Sequence, residues 1–205
     1  MIKEIFNQAV ADDYDAHLRR PVIRTIRKQE KQALLSFFDE HLGKDDSVME
    51  IGAGTGYYTF EIARRVSRLL AQEPSMAMFE ILKRRINAAA NIKIINTQIF
   101  EHNKPDQKYD HVIAIGVLDY IKDAPEFLKH CLSLANKTLI FSAPQQGLLG
   151  KIYKFLGQLT KTDIFIYSKN DILKIFPKQK IKFKETGLKS KFNAAMTLIT
   201  VVEKQ

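Results

Sequence analysis

Apolar positions give the chain three rhythms. Through residues 1–43, Phe6, Val10, Tyr14 and Leu18 recur at the spacing of one helix face. A break is predicted at Arg20-Pro21, because proline suits a first helical position. Ile23, Ile26, Leu34, Leu35, Phe38 and Leu42 then carry a second, longer helix to Gly43. From residue 47 the rhythm shortens. Apolar runs at 47–52, 68–72, 92–96, 110–115 and 138–142 read as strands, separated by helices predicted at 57–66, 75–86 (capped by Ser75) and 125–134. Such alternation implies a parallel sheet covered on both faces. The last sixty residues change again. A long connection, 144–168, carries Leu148, Ile152, Phe155, Leu156 and Leu159 on one side, with Lys151, Lys154 and Gln158 toward another. A short helix at 170–176 leads to strands at 180–184 and 196–202. Residues 185–195 are too few for a crossover helix, so a hairpin with an antiparallel last strand is predicted.

The first strand carries one acid, Glu50, and ends in three glycines within five residues, Gly52, Gly54 and Gly56. A backbone without Cβ atoms can turn sharply there and approach a ligand closely. The N–H groups of the following helix would face that turn, which suits an anionic or polar group of a nucleotide-like cofactor. Two cofactor classes compete, a nicotinamide or flavin dinucleotide and S-adenosylmethionine. The dinucleotide fingerprint requires glycine at its first, third and sixth positions. The sixth here is Tyr57, where the third glycine would allow close helix–strand packing.

Val48-Met49-Glu50-Ile51-Gly52-Ala53-Gly54-Thr55-Gly56 resembles motif I of the class I S-adenosylmethionine-dependent methyltransferases, an acid and an apolar residue before GxGxG. Leu70-Ala71-Gln72-Glu73-Pro74-Ser75-Met76-Ala77-Met78 is similar to that family's second strand, its terminal acid and the next helix. Tyr109-Asp110-His111-Val112-Ile113-Ala114-Ile115-Gly116-Val117-Leu118-Asp119-Tyr120-Ile121 is similar to its fourth motif, with Asp119 and Tyr120 aligned to the Glu-His of "VLEH". The resemblance covers roughly residues 47–143. It implies an α/β, Rossmann-like, seven-stranded and mostly parallel sheet with an antiparallel last strand, helices on both faces and an N-terminal helical cap. The expected organisation is one domain: a cap at 1–43, a cofactor core at 47–143, a substrate lid at 144–168, and a helix with a β-hairpin at 169–205.

The resemblance also implies site roles. Gly52, Ala53, Gly54 and Gly56 pass beneath the methionine moiety of S-adenosylmethionine. Glu50 accepts hydrogen bonds near its amino-acid end, and Glu73, beside Pro74, takes the ribose hydroxyls through two acceptor oxygens. Gln98, where many members have an acid, and Ile99 flank the adenine. Gly116 and, from the cap, Tyr14 complete the cofactor set. Asp119 and Tyr120 are the candidate catalytic pair, with Tyr120 standing where the family pattern has histidine. No spacing of His, Cys, Asp or Glu suggests a metal site. His111 reads as structural at the far edge of the sheet, His102 and His130 as loop and helix-surface residues. His17 shares the cap with Tyr14.

Charge and cysteine content narrow the partners. Of the net +9, residues from Gln145 onward carry +8, with twelve lysines against four acids. These lysines offer peripheral contact with a membrane surface or an anionic ligand, or form a solvated face. Cys131 is the only cysteine. It excludes an intrachain disulfide, reads as a packed helix residue, and with the polar start at Met1 points to the cytoplasm. No Asn/Asp-Pro-Pro-Tyr-like run follows strand four, where amino-methylating nucleic-acid enzymes carry one, and no appended RNA-binding module fits the length. A small-molecule acceptor, hydrophobic or anionic, is therefore expected, with no nucleic acid. An RNA or protein methyltransferase using the basic C-terminal face, and a non-catalytic cofactor-binding protein, are the alternatives.

Overall fold

The computed structural model describes Ala11 and residues 21–86, 90–98, 107–159, 162–188 and 194–204. The expectations for Phe6, Val10, Tyr14, His17, Leu18, Ile99 and His102 lie outside them, as do those for the side chains of Ile23 and Ile26. In chain order the elements are α1 (Pro21–His41), β1 (Ser47–Ile51), α2 (Thr59–Ala63), β2 (Arg68–Gln72), α3 (Met76–Ile86), β3 (Ile92–Ile95) and β4 (Tyr109–Ala114). A single 3-10 turn, Leu118–Tyr120, precedes α4 (Ala124–Leu134), β5 (Ala135–Pro144), α5 (Leu148–Leu159), α6 (Lys169–Ile175), β6 (Lys180–Leu188) and β7 (Ala194–Glu203).

The seven strands form one sheet in the order β3-β2-β1-β4-β5-β7-β6. All pairings from β3 to β5 are parallel, and β7 runs antiparallel to both β5 and β6. This is the expected architecture, and its cause is legible in the alternation of each central strand. Met49, Ile51, Val112, Ala114, Leu139 and Phe141 face α4 and α6, where Phe127, Leu128, Cys131 and Ile172 close one layer of core. Val48, Ile113, Ile140, Ile199 and Val201 face the opposite layer, with Leu34, Phe38, Tyr58 and Ile62. Cys131 is wholly buried, and burial pushes its thiol pKa above the ordinary value.

Several boundaries depart from the sequence pattern. The helix expected at 57–66 covers only Thr59–Ala63. Side chains take the carbonyls at its end and just beyond it: Asn91 Nδ2 donates to Ala63 O at 2.8 Å and to Val66 O at 3.1 Å, and Lys44 Nζ donates to Arg64 O. The strand expected at 138–142 runs over Ala135–Pro144, because Ala135 turns from the end of α4 straight into extended backbone (φ −88°, ψ 141°). The hairpin strands are longer than predicted, since β6 and β7 pair as far as Leu188 and Ala194. A capping box at Ser168 and Asp171 starts α6 one residue before the predicted helix.

The outer strand β6 carries Lys180, Lys182 and Lys184 at alternate positions. Lys180 pairs with Glu203 at 2.9 Å, Lys182 bridges Glu40 of α1 and Glu203, and Lys184 donates to Ser36 Oγ at 2.7 Å. Charges on an edge strand discourage pairing with another chain. They also tie the basic C-terminal section to α1.

The end of the sheet where β1 and β4 begin is closed by a polar network around Asp46. Its carboxylate accepts from Gly43 N at 2.6 Å, from Lys137 Nζ and from His111 Nε2 at 3.0 Å. His111 Nδ1 lies 2.7 Å from Thr138 Oγ1, which fits its expected structural role. Burial alone would raise the Asp46 pKa, but Lys137, the Gly43 amide and His111 hold it down at about 2. A carboxyl depressed on folding adds stability above its unfolded pKa, and this is lost as pH falls through the folded value. Asp46→Asn should therefore cost about 1–3 kcal/mol in urea unfolding at pH 7. The gap to the wild type should narrow between roughly pH 4 and pH 2; a gap independent of pH would show that ionised Asp46 does not carry the network.

Candidate functional site

In an open parallel sheet, ligands bind beyond the carboxyl ends of neighbouring strands whose connections lead to opposite sides. Here those strands are β1 and β4, with β2 and β3 to one side and β5 to the other. The segments leaving them both turn through left-handed backbone, at Gly52 (φ 71°) and at Gly116 (φ 70°). A Cβ on Gly52 would lie 2.6 Å from Val117 Cγ2, so these two exits pack directly on each other. Gly54 (φ 58°) and Gly116 differ, since a Cβ on either would meet nothing within 4 Å. Their left-handed backbone borders open space, which is the setting for close approach of a ligand to main chain.

The glycine turn is tied to the tip of β2. Gly52 N and Ala53 N both donate to Gln72 O, at 2.8 and 3.0 Å. The next residue, Glu73, reaches back: its Oε2 accepts from Gly54 N and its Oε1 from Ser75 N, each at 2.7 Å. Glu73 is only 4% exposed, so these two amides hold an acid in a position it would not otherwise tolerate. Burial pushes its pKa up to about 7 against the pull of the two N–H groups. Glu50 is similarly buried and accepts from Thr59 Oγ1 at 2.7 Å. Burial, only partly offset by Thr59 and reinforced by the neighbouring Glu73, pushes Glu50 up to about 8. Acids perturbed by burial in a strand-end crevice are candidates for a functional site.

Gln72 and Asn96 bring the segment after β3 to the same place. Gln72 Nε2 donates to Gln98 O at 2.6 Å and Thr97 Oγ1 at 2.9 Å, while Asn96 Nδ2 donates to Glu73 O and Pro74 O. Glu50, Gly52, Ala53, Gly54, Gly56, Glu73, Pro74, Gln98 and Gly116 thus share one rim of the sheet, the carboxyl ends of β1 to β4.

Asp119 and Tyr120 sit in the 3-10 turn after β4. Tyr153 of α5 donates its hydroxyl to Asp119 Oδ2 at 3.1 Å, and Phe165 N donates to Asp119 O at 2.9 Å. Burial pushes Asp119 up to about 6, opposed by Arg27 of α1 and by the Tyr153 hydroxyl. Tyr167 donates to Ile121 O at 3.0 Å, and burial beside Asp119 pushes it up to about 12. Tyr153 was absent from the sequence-based candidates. Its signal was its place on the helix face opposite Ile152, Phe155 and Leu159, a clue to burial but none to its partner. Thr59, Gln72 and Arg27 were equally silent, because each acts through a contact set by the fold. Among the described residues, no group of three or more His, Cys, Asp or Glu is arranged to hold a metal ion.

A family model described as a methyltransferase domain matches residues 49–138. An rRNA adenine N-6-methyltransferase of Limosilactobacillus reuteri is 32% identical over 68 residues, 33% of this chain and 28% of that protein. A probable ribosomal RNA small subunit methyltransferase A of Methanopyrus kandleri is 38% identical over 63 residues, 31% of this chain and 23% of that protein. The chain therefore matches about a quarter of the length of these relatives. Among solved structures, the magnesium protoporphyrin IX methyltransferase of Synechocystis PCC 6803 with bound SAH superposes with a TM-score of 0.79 at 21% identity, covering 100% of this chain and 98% of that one.

The raised pKa of Glu50 yields a stability test. An acid whose pKa rises on folding loses stability as pH climbs from its ordinary value, near 4.3, through the folded one. Glu50→Gln should unfold about 1–3 kcal/mol later than the wild type at pH 8 and equally at pH 4. Equal stability at both pH values would mean that Glu50 is not held in a desolvated site.

Proposed function

We propose that this chain, a class I S-adenosylmethionine-dependent methyltransferase by its domain match and fold, transfers a methyl group to a small-molecule acceptor. The observation that carries the cofactor reading is Glu73, buried and clamped by the Gly54 and Ser75 amides beside open, left-handed glycine backbone. A carboxylate has about four lone-pair sites, and the two amides use only two. The remainder suits a pair of ribose hydroxyls. Glu50 lies one strand away, on the side of the amino-acid end, and Gln98 takes the adenine role that the resemblance implies. Tyr14 is assigned to the cap over the cofactor. When bound, the cofactor supplies an electrophilic methyl on sulfonium sulfur, with a neutral thioether as leaving group.

The residues of the chain then have two tasks. The Gly54 and Gly116 backbones leave room for the donor without a side chain in the way. Asp119, with Tyr120 beside it, would orient the acceptor and receive its proton where the attacking atom carries one. A pKa near 6 leaves this carboxylate mostly ionised at neutral pH, and the Tyr153 hydroxyl holds its direction. Residues 144–168, with α5 within them, form the lid over the acceptor, joined to the site through Tyr153.

The rRNA methyltransferase relatives favour RNA as a second reading of the acceptor. Against it, Ile115-Gly116-Val117-Leu118 replaces the Asn/Asp-Pro-Pro-Tyr-like run after β4. Lys169, Lys180 and Lys182 of the basic section are also engaged in ion pairs with Glu185, Glu203 and Glu40. Absence of an RNA mobility shift at low salt would remove the RNA reading, and a salt-sensitive shift would restore it.

Calorimetric titration with S-adenosylhomocysteine should show binding, while NAD should show none. Glu73→Ala should weaken that binding by about tenfold or more, since a hydrogen bond to a charged group is worth about 1.5–3 kcal/mol. Binding of NAD alone would overturn the cofactor assignment, and an affinity unchanged in the variant would overturn the ribose role.

A further inference from the structure

The α5 helix is built inside out. Leu148, Ile152, Phe155, Leu156 and Leu159 are each between 46% and 67% exposed. At 3.6 residues per turn these positions form one continuous stripe. Its opposite face consists of Gly150 and Gly157, both buried, together with Tyr153. A Cβ on Gly150 would lie 2.0 Å from Gln145 O, and one on Gly157 would lie 2.4 Å from Ile164 Cγ1 and 2.8 Å from Thr162 O. Only the glycine face can sit that close to the body of the protein. The Tyr153–Asp119 hydrogen bond sets the same orientation, so the apolar stripe cannot roll inward. Five large apolar side chains therefore stand on the surface for a reason other than the core.

We propose that this stripe docks the protein on an anionic lipid bilayer surface. Lys151 and Lys154 lie along one side of the stripe, both exposed, and the helix contains no acid. Lys180, Lys182 and Lys184 are held by Glu203, Glu40 and Ser36, whereas Lys151 and Lys154 stand exposed on the same helix as the stripe. An apolar stripe bordered by lysines is the composition that rests in the headgroup boundary. At twelve residues, the helix is about 18 Å long, well short of a hydrocarbon core of about 30 Å. It can lie in the interface but cannot span it, and no helix among the described residues is long and apolar enough to cross a membrane. A second copy of the chain suits the stripe poorly. It would bring the same lysines together with no acid from either helix between them. Because Tyr153 bonds to Asp119, docking of α5 would also set the candidate site against the bilayer, within reach of acceptors held there.

The test is sedimentation of the full chain with phosphatidylglycerol-containing vesicles and with pure phosphatidylcholine vesicles. The wild type should bind the former, more weakly in high salt, and the latter little. Phe155→Ser combined with Leu159→Ser should lower the bound fraction about tenfold or more. Lys151→Glu combined with Lys154→Glu should abolish the preference for anionic vesicles. Circular dichroism and S-adenosylhomocysteine titration verify that each variant is folded, and they keep this result separate from the cofactor reading. No binding to anionic vesicles, or binding undiminished in either variant, overturns the proposal. So does a concentration-dependent dimer that the serine variant abolishes, which would mean a second copy covers the stripe.

Discussion

Everything at the candidate site depends on how the turn after β1 is clasped by the tip of β2. Two amides of the turn share the Gln72 carbonyl, and a third meets the Glu73 carboxylate. The main chain of one strand therefore sets both the path of the glycine turn and the position of the acid beside it. A glycine-rich turn held only by its own torsions would be loose, because glycine loses the most conformational freedom on ordering. Three hydrogen bonds from a neighbouring, already paired strand offset that entropy. Gln72 extends the arrangement through its side chain to Thr97 and Gln98, so one residue aligns the exits of three strands.

The two ends of the sheet use acids in opposite ways. At the amino end, Asp46 is ionised by design, with a lysine, a histidine and an amide lowering its pKa. At the carboxyl end, Glu50 and Glu73 are buried with no cation beside them among the described residues, and their pKa values rise. The first arrangement adds to stability, and the second subtracts from it. Folded proteins tolerate such a deficit where a ligand later makes use of it. The polar floor around Asp46 and the double-layered core supply the surplus.

Much of this was legible in the chain. Alternation of apolar strands and amphipathic helices predicted the sheet, because burial on both faces demands near-continuous apolar strands. The glycines and the acid after strand two were visible because backbone conformation and charge are written in residue type. What stayed hidden depends on partners distant in sequence. Asn91 captures carbonyls at the end of α2 and just beyond it, and nothing near residue 63 signals this. Tyr153 lies 34 residues from Asp119, and its own neighbourhood reads only as an apolar helix. The exposed stripe of α5 was visible as periodicity, but periodicity alone cannot say which face turns inward. Two glycines decide it, because they let the backbone approach where side chains cannot.

Cys131 lies at the centre of the α4 layer, wholly buried, with its thiol held in the unreactive protonated form. It is the chain's only sulfhydryl. The native protein is therefore chemically silent toward maleimides, spin labels and fluorophores while folded, and becomes reactive when α4 opens. A reporter thiol introduced anywhere on the surface would be read against a blank background. The natural one would serve as an internal clock for global unfolding.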